Sequence, residues 1–286
     1  VQVPSTRGVT LELHDLGGDG EPLLMAHATG FCARAYEPLV PRLAAAGFHV
    51  WGVDFRGHGD STRPADGDFA WTGMAEDVLA VVDALDQGAV FAFGHSMGGA
   101  ALLLAETMRP GSIRRAYLYE PIVMSHELVA ARNQAVSERP PEPEASAIPL
   151  AAMSRRRRAS FPSRADALMR YATRPTLNVL RADALAAYVQ HAFKDAPDGT
   201  VTLKCDPEDE AKTFESARIT IDEVRDVGVP LTVAMGEREP ESMPAAFAPT
   251  IAASLAHAEL LPYRHLGHFG PLQDPDTVAD DMLARF

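Results

Sequence analysis

Residues 90–108 read VFAFGHSMGGAALLLAETM. An apolar, β-type run from Ala89 to Phe93 leads into Gly94-His95-Ser96-Met97-Gly98-Gly99, and an Ala/Leu-rich helical run follows from Ala100 to Met108. The pattern is strand, sharp turn, helix, with a serine at the apex: the G-x-S-x-G nucleophile elbow. Side chains two residues before and after such a serine would collide with neighbouring backbone. Gly94 and Gly98 carry no Cβ, so the turn can close. Ser96 then stands at the N-terminus of a helix, where free amides and the positive end of the dipole favour developing negative charge.

Outward from the elbow, the first part of the chain alternates strand and helix patterns. Val9 to Leu16 reads as an edge strand, Leu23 to Ala28 as a buried strand, and His49 to Phe55 as another. Tyr36 to Ala46 is expected to be helical with Gly47 as C-cap, as is Trp71 to Asp86, which puts Ala75, Val78, Leu79, Val82 and Leu85 on one face. Arg115 to Glu120 is a further strand, closed by Pro121. This rhythm implies an α/β fold with a mostly parallel, doubly wound sheet.

The rhythm breaks between Ile122 and Asp226. Val136 to Pro149 is rich in Pro, Glu, Ser and Ala and reads as a loop. The stretches after it read as helices, with Ser163 and Asp166 as capping signals and TVTLKC as a short strand. The expected organisation is therefore a core of residues 1–121 and 227–286 with a helical insertion, 122–226. The core resumes with a strand from Leu231 to Met235, a helix from Met243 to Ala256, a strand from Glu259 to Leu266 and a helix from Pro275 to Phe286.

Bulk properties bound the function. The 286 residues, 47% of them hydrophobic, suffice for one large domain or a core with an insertion. A net charge of −13 argues against a nucleic-acid or anionic-membrane surface. No apolar run approaches the roughly 18 residues of a membrane span. Two distant cysteines, Cys32 and Cys205, form no disulfide framework. With no basic or apolar leader pattern at the N-terminus, a cytoplasmic location is expected. The oligomeric state is not legible.

Ser96 needs a base. Of ten histidines, His268 alone follows directly on the last predicted strand, in HLGHFGPLQDP, on the sheet edge that carries the elbow. Its imidazole can take the serine proton and return it to a leaving group. His265 is second, read as lying within the strand. The imidazole in turn needs a carboxylate, and the order serine, acid, histidine favours Glu239, three residues past Gly236 in GEREPE, where Glu237 and Glu241 also lie. Glu120, at the end of the strand after the elbow helix, is the alternative acid. An oxyanion hole needs two backbone donors. Met97 is one; Thr29 in HATGF is the other, with Ala28 as alternative, and His27 is read as bracing that loop.

Other motifs carry less. DFRGHGDS lacks a phosphate-loop lysine, so Gly57 and Gly59 are read as serving a tight turn. Arg155 to Arg158 reads as a solvated helix face. No histidine pair has H-E-x-x-H spacing and neither cysteine has a paired neighbour, so neither metal nor cofactor is expected.

HATGF, DFRGHGDS, GHSMGG and GHFGPLQDP occur in one order, and with them the chain resembles the α/β-hydrolase superfamily over essentially its whole length. The resemblance implies the α/β-hydrolase fold, with the insertion as its cap. It departs at Ala28, where glycine is usual, and at the acid, where aspartate is commoner. Epoxide hydrolases and dehalogenases of the family have aspartate at the elbow, so Ser96 implies acyl chemistry on a small-molecule ester, thioester or lactone. A carbon–carbon-bond hydrolase, a cofactor-free haloperoxidase, or a non-catalytic receptor of this fold are the alternatives. Met124, Leu128, Phe161, Tyr171, Leu177, Tyr188 and Phe193 are the candidates to line an acyl pocket or to pack cap on core.

Overall fold

The computed structural model describes residues 1–137, 148–238 and 243–286. The first strands are β1 (Gln2–Pro4), β2 (Thr10–Gly17), β3 (Glu21–Ala26), β4 (Phe48–Asp54), β5 (Val90–His95) and β6 (Ile113–Tyr119). The helices among them are α1 (Val40–Ala45), α2 (Trp71–Leu85) and α3 (Met97–Met108). The segment after β6 holds α4 (His126–Ser137), α5 (Pro149–Arg155), β7 (Ser160–Phe161), α6 (Arg164–Thr173), α7 (Ala182–His191), β8 (Phe193–Asp195), β9 (Val201–Leu203), α8 (Pro207–Glu215) and α9 (Ile221–Val224). The chain then returns to β10 (Leu231–Gly236), α10 (Met243–Ser254), β11 (Ala258–Tyr263), α11 (Gly270–Gln273) and α12 (Pro275–Leu283).

Eight strands form one sheet in the order β1-β2-β4-β3-β5-β6-β10-β11, and β7-β9-β8 form a small antiparallel sheet of their own. From β4 across to β11 all neighbours are parallel. Strand alternation feeds two cores. Leu24, Ala26 and Ala92 face one apolar layer with Met97, Leu102 and Leu118. Leu23, Met25, Phe91 and Phe93 face the other with Tyr117 and Tyr119. Parallel strands buried on both faces need such continuous apolar runs. Phe161, Leu185, Tyr188, Phe193 and Leu203, from the segment between β6 and β10, join the second layer. Each large side chain so buried contributes about 1.5–3 kcal/mol.

Several boundaries differ from the sequence reading. The strand read as an edge, now Thr10–Gly17, is covered by β1. The helix expected over Tyr36–Ala46 divides into a 3-10 stretch, Ala33–Leu39, and α1. Pro38 and Pro41 lack the N–H that one continuous helix would use. β11 ends at Tyr263, so His265 lies beyond the strand, exposed, 3.5 Å from Asp274. Much of the stretch read as a loop from Val136 lies outside the described residues.

The DFRGHGDS turn is a brace. Arg56 and Asp77 are both buried and pair through two hydrogen bonds of 2.9 and 2.7 Å. Asp54 accepts from the Ala33 and Asp60 amides at 2.8 and 2.9 Å. A Cβ on Gly59, whose φ is +52°, would lie 2.0 Å from the Asp54 carboxylate, so only glycine fits.

The arginine run is solvated as expected at Arg156 and Arg158, but not at Arg155 and Arg157. Arg155 pairs with Glu208 and Glu215, each at 2.7 Å, and Arg157 pairs with Glu210 at 2.8 Å. The acidic residues of α8 hold these two arginines.

Candidate active site

Ser96 links β5 to α3 with φ 54° and ψ −112°, a region that side chains other than glycine rarely adopt. Its surroundings enforce this. A Cβ on Gly94 would come within 2.6 Å of Gly99 Cα, and one on Gly98 within 2.1 Å of the Ala26 carbonyl oxygen. The Ser96 amide donates to Tyr119 O at 2.9 Å, and Ser96 O accepts from Ile122 N at 3.3 Å. The turn is thereby knitted to the end of β6.

The oxyanion candidates lie together. The Thr29 hydroxyl donates to Met97 Sδ at 3.4 Å. Phe31 N donates to Ala28 O at 3.1 Å, closing a tight turn in which Gly30 has φ +78°. The backbone N–H groups of Thr29 and Met97 have no acceptor among the described residues. Ala28 does not share that property: its amide donates to the Tyr36 hydroxyl at 3.2 Å. The alternative donor is thus already occupied. His27 is a brace, with Nε2 accepting from Phe55 N at 3.0 Å and Nδ1 donating to Ala28 O at 2.8 Å.

His268 Nδ1 lies 2.6 Å from Glu120 Oε2. The other oxygen, Oε1, accepts from Gly236 N at 2.8 Å. Glu120 is fully buried, one residue past β6, with φ 44°. Of the two acids expected from the sequence, the described structure places the alternative one on His268. The carboxylate on the imidazole is Glu120, and Glu239 lies outside the described residues together with Glu241. The physical reason is adjacency: β6 and β10 are neighbours, and a glutamate at the end of β6 reaches under the His268 loop while Gly236 supplies a second donor. Ser96 Oγ and His268 Nε2 have no hydrogen-bond partner among the described residues, so the two are not hydrogen-bonded to each other. Such contacts commonly tighten only with substrate bound.

Two residues that sequence reasoning missed connect these parts. His95 Nε2 donates to His268 O at 2.8 Å, and its Nδ1 accepts from the Tyr36 hydroxyl at 2.7 Å. Tyr36 in turn takes the Ala28 amide. A single hydrogen-bonded path thus joins the HATGF turn to the His268 loop. A neutral His95 fits this path: the His268 carbonyl takes the proton on Nε2 and leaves Nδ1 to accept from Tyr36. Burial, with the nearby His268 adding to it, pushes the His95 pKa well below the usual histidine value. Burial, aided by His58, likewise lowers His27 to about 3. Only the glycine spacing around His95 was visible in sequence; its two partners come from other elements.

A family description, the alpha/beta hydrolase fold, matches residues 21–222, more than half of the chain. The chain belongs to the alpha/beta-hydrolase-fold family. It is 38% identical to the AB hydrolase superfamily protein YisY of Bacillus subtilis (strain 168) over 32% of this chain and 34% of that protein. It is 26% identical to a non-heme chloroperoxidase of Streptomyces lividans over 99% of this chain and 98% of that one. The chain thus spans about a third of the first relative and nearly all of the second. Among solved structures, E-2-(acetamidomethylene)succinate hydrolase superposes with a TM-score of 0.79 at 20% identity, over 100% of this chain and 98% of that one, a likeness of fold.

Within this alpha/beta hydrolase, a cleft of about 150 Å³ opens beside His268, lined by Pro175, Thr176, Asn178, Val179, Phe269 and Gln273. A wider cleft of about 690 Å³ lies elsewhere, between β2 and the Ala33–Ala45 region, and contains none of the candidate residues. The chemistry, not the volume, marks the site. His14, Asp54 and Asp60 bring ligand-type atoms within 4.8 Å of one another. All three are committed: His14 to Asp54 at 2.9 Å, and Asp60 to Lys204 at 2.7 Å. Among the described residues no helix is long and apolar enough to cross a membrane.

Proposed function

We propose that this chain is a serine hydrolase that cleaves a carboxylic ester, thioester or lactone through an acyl-enzyme on Ser96, with residues 122–226 as its cap. Ser96 Oγ attacks the carbonyl carbon as His268 Nε2 takes its proton. Glu120 holds His268 Nδ1–H, which keeps Nε2 free as base and stabilises the imidazolium. The oxyanion develops towards the Met97 and Thr29 amides, at the positive end of α3. His268 returns the proton to the leaving alcohol, thiol or lactone oxygen, and a water activated by the same nitrogen releases the acid.

The observation that carries this reading is the 2.6 Å Glu120–His268 pair beside a strained serine whose neighbouring amides are unclaimed. The test is labelling with a fluorophosphonate, followed by a panel of p-nitrophenyl esters and lactones read by mass spectrometry. Modification at Ser96 and turnover lost in Ser96→Ala support the reading; an unlabelled Ser96 in folded protein overturns it. The full-length similarity to a non-heme chloroperoxidase favours one second reading, peroxide replacing water on the same acyl-enzyme. Peroxide-dependent halogenation that requires a carboxylic acid and is lost in Ser96→Ala would support it.

A further inference from the structure

The insert carries a half-buried cation directly above the oxyanion turn. Arg157 Nη1 donates to Glu210 Oε2 at 2.8 Å, and its Nη2 donates to the Tyr188 hydroxyl and, at 3.4 Å, to that of Tyr171. Arginine is a donor only. It therefore occupies a lone pair of the Tyr188 oxygen and leaves that hydroxyl one use for its proton. The Tyr188 O–H donates to Gly30 O at 3.3 Å. Glu210 meets the same residue from another side: a Cβ on Gly30 would lie 2.6 Å from Glu210 Oε1 and 3.4 Å from Arg157 Nη1. The Tyr188 ring packs on Phe31 with centroids 5.0 Å apart, and Phe31 packs at 5.7 Å on Phe269, the neighbour of His268. None of these insert residues reaches the core by sequence proximity; the three come from two residues past α5, from α7 and from α8.

We propose that Arg157, Glu210 and Tyr188 form a latch between insert and core, and that Tyr188 is a positioning residue that holds the Ala28–Phe31 turn so that the Thr29 amide faces the oxyanion. This rests on the serine-hydrolase reading of the same site. The latch explains why a charged run is drawn inward at Arg157 and why Gly30 is glycine. A donor displaced by even a fraction of an ångström loses much of its effect on a developing charge, because the interaction is made in the transition state.

The experiment compares wild type with Tyr188→Phe, which removes only the hydroxyl. Active sites are counted by fluorophosphonate titration, and kcat for p-nitrophenyl acetate is expressed per titrated serine. A trifluoromethyl ketone then probes the turn. Ser96 Oγ adds to its carbonyl carbon, the serine proton passes to His268, and the alkoxide occupies the oxyanion site. The latch predicts a kcat roughly tenfold lower per titrated site, nearly unchanged KM, and trifluoromethyl ketone affinity weakened by about the same factor. A purely structural hydroxyl would lower Tm and the titratable fraction and leave both values per site unchanged, which would overturn the latch alone. Wild type that does not label overturns the hydrolase reading and the latch with it. Glu210→Gln keeps side-chain volume and weakens the hold on Arg157; it gives the same readout should Tyr188→Phe not fold.

Discussion

Glu120 and His268, 148 residues apart in the chain, meet at 2.6 Å through Oε2 and Nδ1. The carboxylate is buried, and its second oxygen is held by the Gly236 amide at 2.8 Å. Two neighbouring strands thus cooperate: β6 supplies the acid, and β10 supplies the donor that orients it.

Glu120→Gln should lower kcat/KM by ~10²–10⁴-fold, since the amide cannot stabilise the imidazolium. Glu239→Gln should stay within about threefold of wild type, a change worth less than 1 kcal/mol. Steady-state kinetics on one ester decide it, and the opposite ranking would return the acid to Glu239.

Ser96→Ala should abolish turnover, leaving less than about a thousandth of kcat, with Tm close to wild type. The serine hydroxyl makes no hydrogen bond among the described residues, so its removal leaves no buried partner unsatisfied. Retention of more than a few per cent of activity would rule out an acyl-enzyme on this residue.

Acid should destabilise the fold well before the bulk of the carboxylates titrate. His27 is lowered to about 3 and His95 well below its usual value, both chiefly by burial. Each is neutral in the folded chain, whereas the unfolded chain binds a proton below about pH 6.5. The unfolded state then holds more protons, so stability is complete above about 6.5 and falls as pH drops towards the folded values. Each such histidine contributes a slope of about 1.4 kcal/mol per pH unit. Urea midpoints should hold from pH 7.5 to about 6.5 and fall from there to about 4.5; a profile flat over the whole range would show that these imidazoles are not buried neutral.

Asp77→Asn should cost about 3–5 kcal/mol, because it leaves Arg56 buried with only the more distant Glu76, at 3.9 Å, as counter-charge. Chemical denaturation measures this directly. Activity per titrated Ser96 should be unchanged, since the pair braces the DFRGHGDS turn and touches no candidate catalytic residue.

Much of the site was legible from local pattern alone. Gly94 and Gly98 flank Ser96 because backbone atoms stand within 2.1–2.7 Å of where their Cβ atoms would be, a constraint that any such turn imposes. His268 was legible because it directly follows a strand-like run on the edge that carries the elbow. The choice between Thr29 and Ala28 was less so. It depends on the Tyr36 hydroxyl, which takes the Ala28 amide, and nothing in HATGF reports that contact.

The sequence by itself determined the α/β architecture, the elbow and the order of its motifs, because periodicity, glycine sterics and strand-to-helix turns act over a few neighbouring residues. Only the tertiary structure showed which described carboxylate meets His268 and what Arg155 and Arg157 of the arginine run pair with. β6 and β10 both end on the catalytic edge, so sequence order allowed either carboxylate; sheet adjacency and the Gly236 amide put Glu120 on His268. Arg157 reads as one charge in a row of four until α8 brings Glu210 against it. Such charge pairing is a contact between distant segments, and it leaves no local periodicity to read.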